Sequence, residues 1–391
     1  MRLDPGIHAE LDARLAAVDT HLSTRYPGDR HGRQPVHTVY VPADRFHQNL
    51  VSEWGGLARA ALETAPALPY PEHLHARVTA KLAAEPIEDL RIDFEDGYGI
   101  RADDEEDAAA EAAATALSAA ERSTPFVGLR IKSMEAHTRR RSLRTLDVFL
   151  DRWFAGAAEL PVNFVITLPK VSDPAQVAAF AAVCGRLDAA YGIALRFEIQ
   201  IETPTAILGA DGTATVARMI TAADGRCTGL HYGTYDYSAA CGIGAAYQSM
   251  EHPAADHAKA VMQVAAAGTG VRLSDGSTNV LPVGTDDRIA EAWALHARLV
   301  RRSLERGFYQ GWDLHPAQLP TRFAATYAFF RDGAAAARDR LTAYLDRRDT
   351  GILDEPATAR ALAGFLLRGL RCGALDDDEL GGFTEDRLAG L

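Results

Sequence analysis

The stretch RFEIQIETPT, Arg196 to Thr205, is a short apolar run that ends in a carboxylate, Glu202, and leaves through a proline. A helical pattern, Ala206–Ala223, follows it. The same unit recurs along the chain. Before it come HTVYVP (His37–Pro42), LRIDF (Leu90–Phe94), FVGLRI (Phe126–Ile131) and NFVITL (Asn163–Leu168). After it come CTGLHY (Cys227–Tyr232), a weaker Val271–Leu273 with Asn279–Val283, and GWDL (Gly311–Leu314). Helical periodicity fills most gaps, over Asp107–Ala120, Leu143–Phe154, Pro174–Tyr191 and Asp287–Arg306. The apolar period switches repeatedly from continuous strand to helix. Alternating buried strands and helices predict a parallel sheet covered by helices, and eight such units between His37 and Gln318 predict a closed (β/α)8 barrel. No G-x-G-x-x-G follows the first strand, which removes the usual reason to prefer an open dinucleotide-binding sheet.

The flanks divide the chain into three. Residues 1–36 read as a leader, with a helix over Ile7–Leu22 and a polar loop. Residues 37–319 form the barrel. Residues 320–391 read as a helical C-terminal extension, packed on the barrel or on a neighbouring subunit. Its three helical patterns are broken at Asp332-Gly333 and Asp349-Thr350-Gly351, and an acidic stretch, Asp376–Glu379, lies near the end.

Composition narrows the function. The 391 residues are 47% hydrophobic and 24% charged, with a formal charge of −12, which argues against nucleic acid or an anionic membrane as partner. The four cysteines, Cys184, Cys227, Cys241 and Cys372, form no C-x-x-C pair and no zinc spacing. With no signal pattern and no long apolar run, the expectation is a cytoplasmic protein.

Barrel enzymes collect function where strands end. Here the strand ends carry Asp44 and Arg45, Glu95 and Asp96, Arg130 and Lys132, Lys170, Glu202, Asp236, and His315. Glu202 and Asp236 end successive strands and so would sit side by side. Two carboxylates with open water positions suit Mg²⁺, or Mn²⁺, rather than zinc. Arg130 offers a rigid fork for a substrate carboxylate, and with the metal it would stabilise an enolate oxygen. Lys170, Gly233, Thr234 and His315 are further candidates for substrate contacts. Duller readings stand beside these. A lone strand-end Glu is often a cap or an ion-pair partner, and Arg130, Lys132 and Lys170 could each pair with Glu95 or Asp96. Lys170 could also form a Schiff base. His231, inside its strand, reads as a packed core histidine, and His315 could orient a loop as easily as bind substrate.

Together these pieces resemble the HpcH/HpaI aldolase and citrate lyase β-subunit-like superfamily. Val39-Tyr-Val-Pro-Ala-Asp-Arg45 is similar to its opening strand, and Asp93-Phe-Glu95-Asp96 to its Asp-Leu-Glu-Asp segment. Leu129-Arg130-Ile131, Leu168-Pro-Lys170-Val171 and Ile201-Glu202-Thr203 follow in family order. Gly233-Thr-Tyr-Asp236 and Leu314-His315-Pro316-Ala-Gln318 complete the set. The resemblance implies a Mg²⁺-dependent barrel of the phosphoenolpyruvate/pyruvate type, working as a trimer or hexamer and making or breaking a carbon–carbon bond beside an enolate. Carried over, Glu202 and Asp236 hold the metal, Arg130 holds the carboxylate or enolate oxygen, and Glu95 and Asp96 position Arg130 and waters. Three departures matter. Lys132 replaces the family's Asn and is expected to add a cation at the mouth. Ala43 replaces a Gly. Ala265–Val283, with a possible hairpin, differs from the acyl-CoA lyase pattern.

The expected function is therefore an aldolase acting on a small 2-oxo acid such as pyruvate, with Lys132 favouring a compact dianion. Alternatives are a citrate lyase- or malyl-CoA lyase-like acyl-CoA lyase, a phosphoenolpyruvate handler, and a barrel kept as a non-catalytic ligand-binding scaffold.

Overall fold

The structure is a computed structural model that describes residues 4, 6–29, 32–64, 68–120, 124–348, 351 and 354–391. Its strands are β1 (His37–Pro42), β2 (Asp89–Asp93), β3 (Phe126–Arg130), β4 (Phe164–Leu168), β5 (Phe197–Ile201), β6 (Cys227–Tyr232), β7 (Arg272–Ser274) and β8 (Gly311–Asp313). The helices before β6 are α1 (Ile7–Arg25), α2 (Leu50–Thr64), α3 (His73–Ala84), α4 (Asp103–Ser118), α5 (Arg139–Phe154), α6 (Pro174–Tyr191), α7 (Pro204–Ile207) and α8 (Thr215–Ala222). Those after it are α9 (Thr234–Ala240), α10 (Pro253–Ala266), α11 (Asp286–Glu305), α12 (Leu319–Leu345), α13 (Pro356–Arg371) and α14 (Glu385–Ala389).

All strand pairs are parallel, in the order β7-β6-β5-β4-β3-β2-β1-β8. A parallel bridge between Ser274 and Gln310, with Asp275 N–H donating to Gln310 O at 2.8 Å, closes β7 onto β8. The (β/α)8 barrel expected from the eight strand units is the fold.

Helix α6 shows how local chemistry sets the bounds of an element. In α6, Asp173 caps the N-terminus in a capping box with Gln176, Pro174 opens the first turn, and Gly192 at φ 70° ends the helix. Outward strand residues such as Leu90, Ile92, Leu129, Ile199 and Ile201 are fully buried and pack in the apolar core together with Leu146, Phe149, Val177 and Phe180 of the helices. The inward positions are polar. β2 carries Asp89, Arg91 and Asp93 two residues apart, and β5 continues Glu198 and Gln200 into Glu202.

Three expected elements differ. Asn279–Val283 forms no strand or hairpin. The segment is pulled across the barrel end instead: Gln318 donates to Thr278 O at 3.1 Å, and Asn279 N–H donates to Tyr235 Oη at 2.6 Å. The helix expected over Ala206–Ala223 is two, α7 and α8, because Asp211 folds the intervening chain into a turn by accepting from Thr213 N–H at 3.1 Å. Asp332-Gly333 is not a break, since α12 runs through it. A Cβ at Gly333 would stand 2.7 Å from the Phe365 ring, so this glycine lets α12 and α13 pass closely. Of the second expected break, Asp349 and Thr350 lie outside the described residues.

The first half of α12 is almost wholly buried and packs on α11, α3 and α2, in the outer ring of the barrel. α13 packs back on α12, and the tail is tied to α12 by the ion pair of Arg331 with Glu379 and to α3 by that of Arg77 with Asp376. Among the described residues no helix is long and apolar enough to cross a membrane.

Candidate active site at the C-terminal rim of the barrel

β2 and β3 place the first pair. Asp93 and Arg130 are register partners, and the guanidinium forks onto the carboxylate, Nε to Oδ1 at 2.6 Å and Nη2 to Oδ2 at 2.7 Å. The third nitrogen, Nη1, points to Glu95 Oε2 at 3.5 Å. The guanidinium lies over the Tyr40 ring at 4.7 Å and the Trp312 ring at 5.8 Å. Arg130 is therefore oriented on three sides and buried.

Lys170 joins the carboxylates. Its ammonium binds Glu95, Asp96 Oδ2 at 2.8 Å and Asp236 Oδ2 at 3.4 Å, and its backbone N–H donates to Glu202 Oε1 at 2.6 Å. Burial alone would lower the ammonium's pKa, but Glu95 and Glu202 raise it far above the ordinary lysine value. The carboxylates thus favour the ammonium form of Lys170, which works against a Schiff-base role. Burial raises the Glu95 acid, whereas Asp96, opposed by burial, is lowered by its bonds to Lys170.

Glu202 differs from the rest. It is buried at the end of β5, and a Cβ on Gly233 would come within 2.6 Å of the Glu202 Cβ, so the glycine makes room for it. Burial pushes its acid up to about 8; Lys170 opposes this, while Glu95 and Asp236 add repulsion. Asp236, in the first turn of α9, remains half exposed. Among the described residues no three His, Cys, Asp or Glu side chains converge as a ready-made metal cage. Glu202 and Asp236 nevertheless fit a hard divalent ion. Both offer oxygen only, and buried Glu202 has no side-chain cation of its own within salt-bridge distance among the described residues. Mg²⁺ is commonly held by one or two carboxylates while keeping several waters.

The structure thus brings Arg130, Glu95, Asp96, Lys170, Glu202, Gly233 and Asp236 together. It does not bring Lys132. β3 ends at Arg130, so strand alternation no longer aims Lys132 at the mouth. Its ammonium is buried against Glu106 of α4 at 2.6 Å and Phe94 O at 2.7 Å. The expected extra cation at the mouth is absent. His315 uses Nδ1 to accept from Ala317 N–H at 3.1 Å, capping a turn. Thr234 is buried, with Gly276 leaving space beside its hydroxyl.

One feature was missed. Below the rim, Arg91 bridges Asp89 and Glu198, with Nη2 to Glu198 Oε2 at 3.0 Å, and His231 Nε2 reaches the same oxygen at 2.9 Å. Burial would raise Glu198, but Arg91 and His231 hold it well below the carboxylate range. The signal is present as polar or charged residues at every second position of LRIDF and RFEIQI. A cavity of about 390 Å³ opens next to this network at the N-terminal end of the strands, away from Glu202 and Asp236.

Comparison with solved structures agrees with the fold. A citrate lyase from Burkholderia xenovorans LB400 is 21% identical, covering 83% of this chain and 99% of its own at a TM-score of 0.58. The CitE protein of Mycobacterium tuberculosis, solved with magnesium, acetoacetate and coenzyme A, is 19% identical, covering 88% and 99% at 0.53. Haloferax volcanii malate synthase in a lead(II) complex is 13% identical, covering 92% and 98% at 0.50. The barrel is thus the one found in citrate lyase β-subunit-like proteins, as the motifs implied. No curated protein matches the sequence. A family profile covers residues 15–391, nearly the whole chain, and by that match the protein belongs to the family described as domain of unknown function DUF6986.

Proposed function

We propose that the protein is a Mg²⁺-dependent carbon–carbon lyase that makes or cleaves a bond beside the enolate of a small 2-oxo acid such as pyruvate. The observation that carries this reading is the meeting of Glu202, Asp236, Arg130 and Lys170 at one end of the barrel. Glu202 and Asp236 are the residues that would hold the ion, with Mn²⁺ able to replace Mg²⁺. When bound, the ion supplies a positive charge that polarises a carbonyl oxygen.

The chain's own groups do the rest. Arg130, fixed by Asp93 and two aromatic rings, presents Nη1 to a substrate carboxylate or enolate oxygen. Lys170 stays an ammonium and keeps Glu95, Asp96 and Asp236 gathered. His231 bonds to Glu198 below the rim and His315 caps a turn, so we turn to Glu95, beside Arg130 and with its acid raised by burial, as the proton carrier. The Mycobacterium tuberculosis CitE structure solved with magnesium, acetoacetate and coenzyme A supports a Mg²⁺-dependent reading by analogy.

A second reading is an acyl-CoA lyase. The withdrawal of Lys132 into its bond with Glu106 removes one ground for preferring a compact dianion. Incubation in D₂O with Mg²⁺ and either pyruvate or acetyl-CoA separates the two, because loss of methyl proton signal requires enolate formation. Exchange of pyruvate supports the aldolase, and exchange of acetyl-CoA alone moves the reading to the CoA lyase. Glu202→Gln with Asp236→Asn is expected to abolish exchange. Exchange that survives both substitutions would refute the metal assignment.

A further inference from the structure

Helix α1 is a surface without a partner. None of its 19 residues is buried, and no hydrogen bond or ion pair of its described side chains reaches another element. Yet Leu11, Leu15, Val18 and Leu22 are 43%, 45%, 49% and 48% exposed. Their spacing of four, three and four is that of the d, a, d and a positions of a heptad, which places them on one stripe of the helix. A stripe of this kind is hidden when it packs against a helix of the same period.

The flanking charges choose the partner and its direction. In the same heptad frame Arg14 occupies a g position, and Asp12 and Asp19 occupy e positions. In a parallel pair, the g residue faces the e residue five places on in the other helix, so Arg14 of each copy faces Asp19 of the other. In an antiparallel pair e faces e, which sets Asp12 against Asp19 twice. The charges favour the parallel arrangement and oppose the other.

We propose that α1 is a self-association surface, pairing in parallel with α1 of a second copy of this chain through Leu11, Leu15, Val18 and Leu22. The helix is short, so the assembly is dissociable and concentration-dependent.

The test is sedimentation equilibrium of the full chain over a wide concentration range. The expected result is a mass that rises to a multiple of the single chain. Leu15→Asp is expected to raise the dissociation constant at least ~tenfold, since it places a charge in the seam. Because Leu15 is exposed within one chain, its thermal melt as a monomer should not change. Arg14→Asp or Asp19→Arg alone should weaken association, and the two together should restore it. A chain that stays monomeric throughout, or an assembly indifferent to Leu15→Asp, overturns the proposal. Strengthening by Asp19→Arg alone overturns the parallel arrangement.

Discussion

Lys170 donates its backbone N–H to Glu202 Oε1 at 2.6 Å while holding a φ of +50°, a left-handed conformation rare for a residue with a side chain. The backbone there is turned so that the amide meets one carboxylate and the ammonium meets the others. Lys170→Gly should keep the turn and lose only the ammonium. The fold is expected to survive, with a larger thermal shift on adding Mg²⁺ than in the wild type, because the carboxylates lose their internal cation. Lys170→Val should be less stable than Lys170→Gly by about 1–3 kcal/mol, since a β-branched residue is strained at this φ. Melting curves with and without Mg²⁺ read both effects.

Lys132 gives a contrasting case. Its partner Glu106 is completely buried and also accepts from Thr145 Oγ1 at 2.6 Å. Lys132→Met is expected to cost about 3–5 kcal/mol by stranding that carboxylate. Lys132→Met with Glu106→Gln should regain much of the loss in a denaturant titration. Mg²⁺ affinity, measured by calorimetry, should stay at the wild-type level in the double variant. A large fall would return Lys132 to the site.

The raised Glu202 acid sets a pH dependence of definite sign. Between its ordinary value of 4.5 and its folded value of about 8, the folded state binds more protons than the unfolded state. Without a divalent ion, stability should therefore fall as pH rises through that window. Glu202→Gln should flatten this slope in thermal melts taken from pH 5 to 8. Near pH 7, Mg²⁺ binding should release protons, seen as a calorimetric heat that depends on the buffer.

Gly333 makes a structural prediction remote from the rim. Gly333→Val drives a side chain into Phe365 and should destabilise the α12–α13 pair by about 1–3 kcal/mol. Isotope exchange by the folded fraction should be unaffected. A variant as stable as the parent would show that the two helices can shift apart freely.

The barrel and most rim charges were legible because strand ends in this fold are marked by an abrupt change from apolar to charged residues, as at Ile201-Glu202. What escaped reading had physical causes. Lys132 reads as a continuation of β3, but the strand stops at Arg130 and side-chain direction is no longer set by alternation. Gly333 reads as punctuation in the sequence, although in a helix interior a glycine can serve close packing. Asn279–Val283 has strand-like residues, yet its bonds run to Tyr235 and Gln318 rather than to a neighbouring strand. The inward row Glu198, Gln200 and Glu202 was visible every second residue, but charge inside a barrel requires partners on other strands that a linear reading does not supply.

That polar row has a consequence for how such a chain can diverge. Cohesion here comes from the apolar layer between sheet and helices, where Ile92, Leu129, Ile199 and Leu230 are shielded from water. The lumen of the barrel contributes ionic bonds among side chains that can be exchanged in matched sets. Substituting Asp89, Arg91, Glu198 and His231 together would rewire the lumen while leaving the outer layer untouched. The architecture is in this sense modular in depth, with its chemistry free to drift while the shell holds the shape.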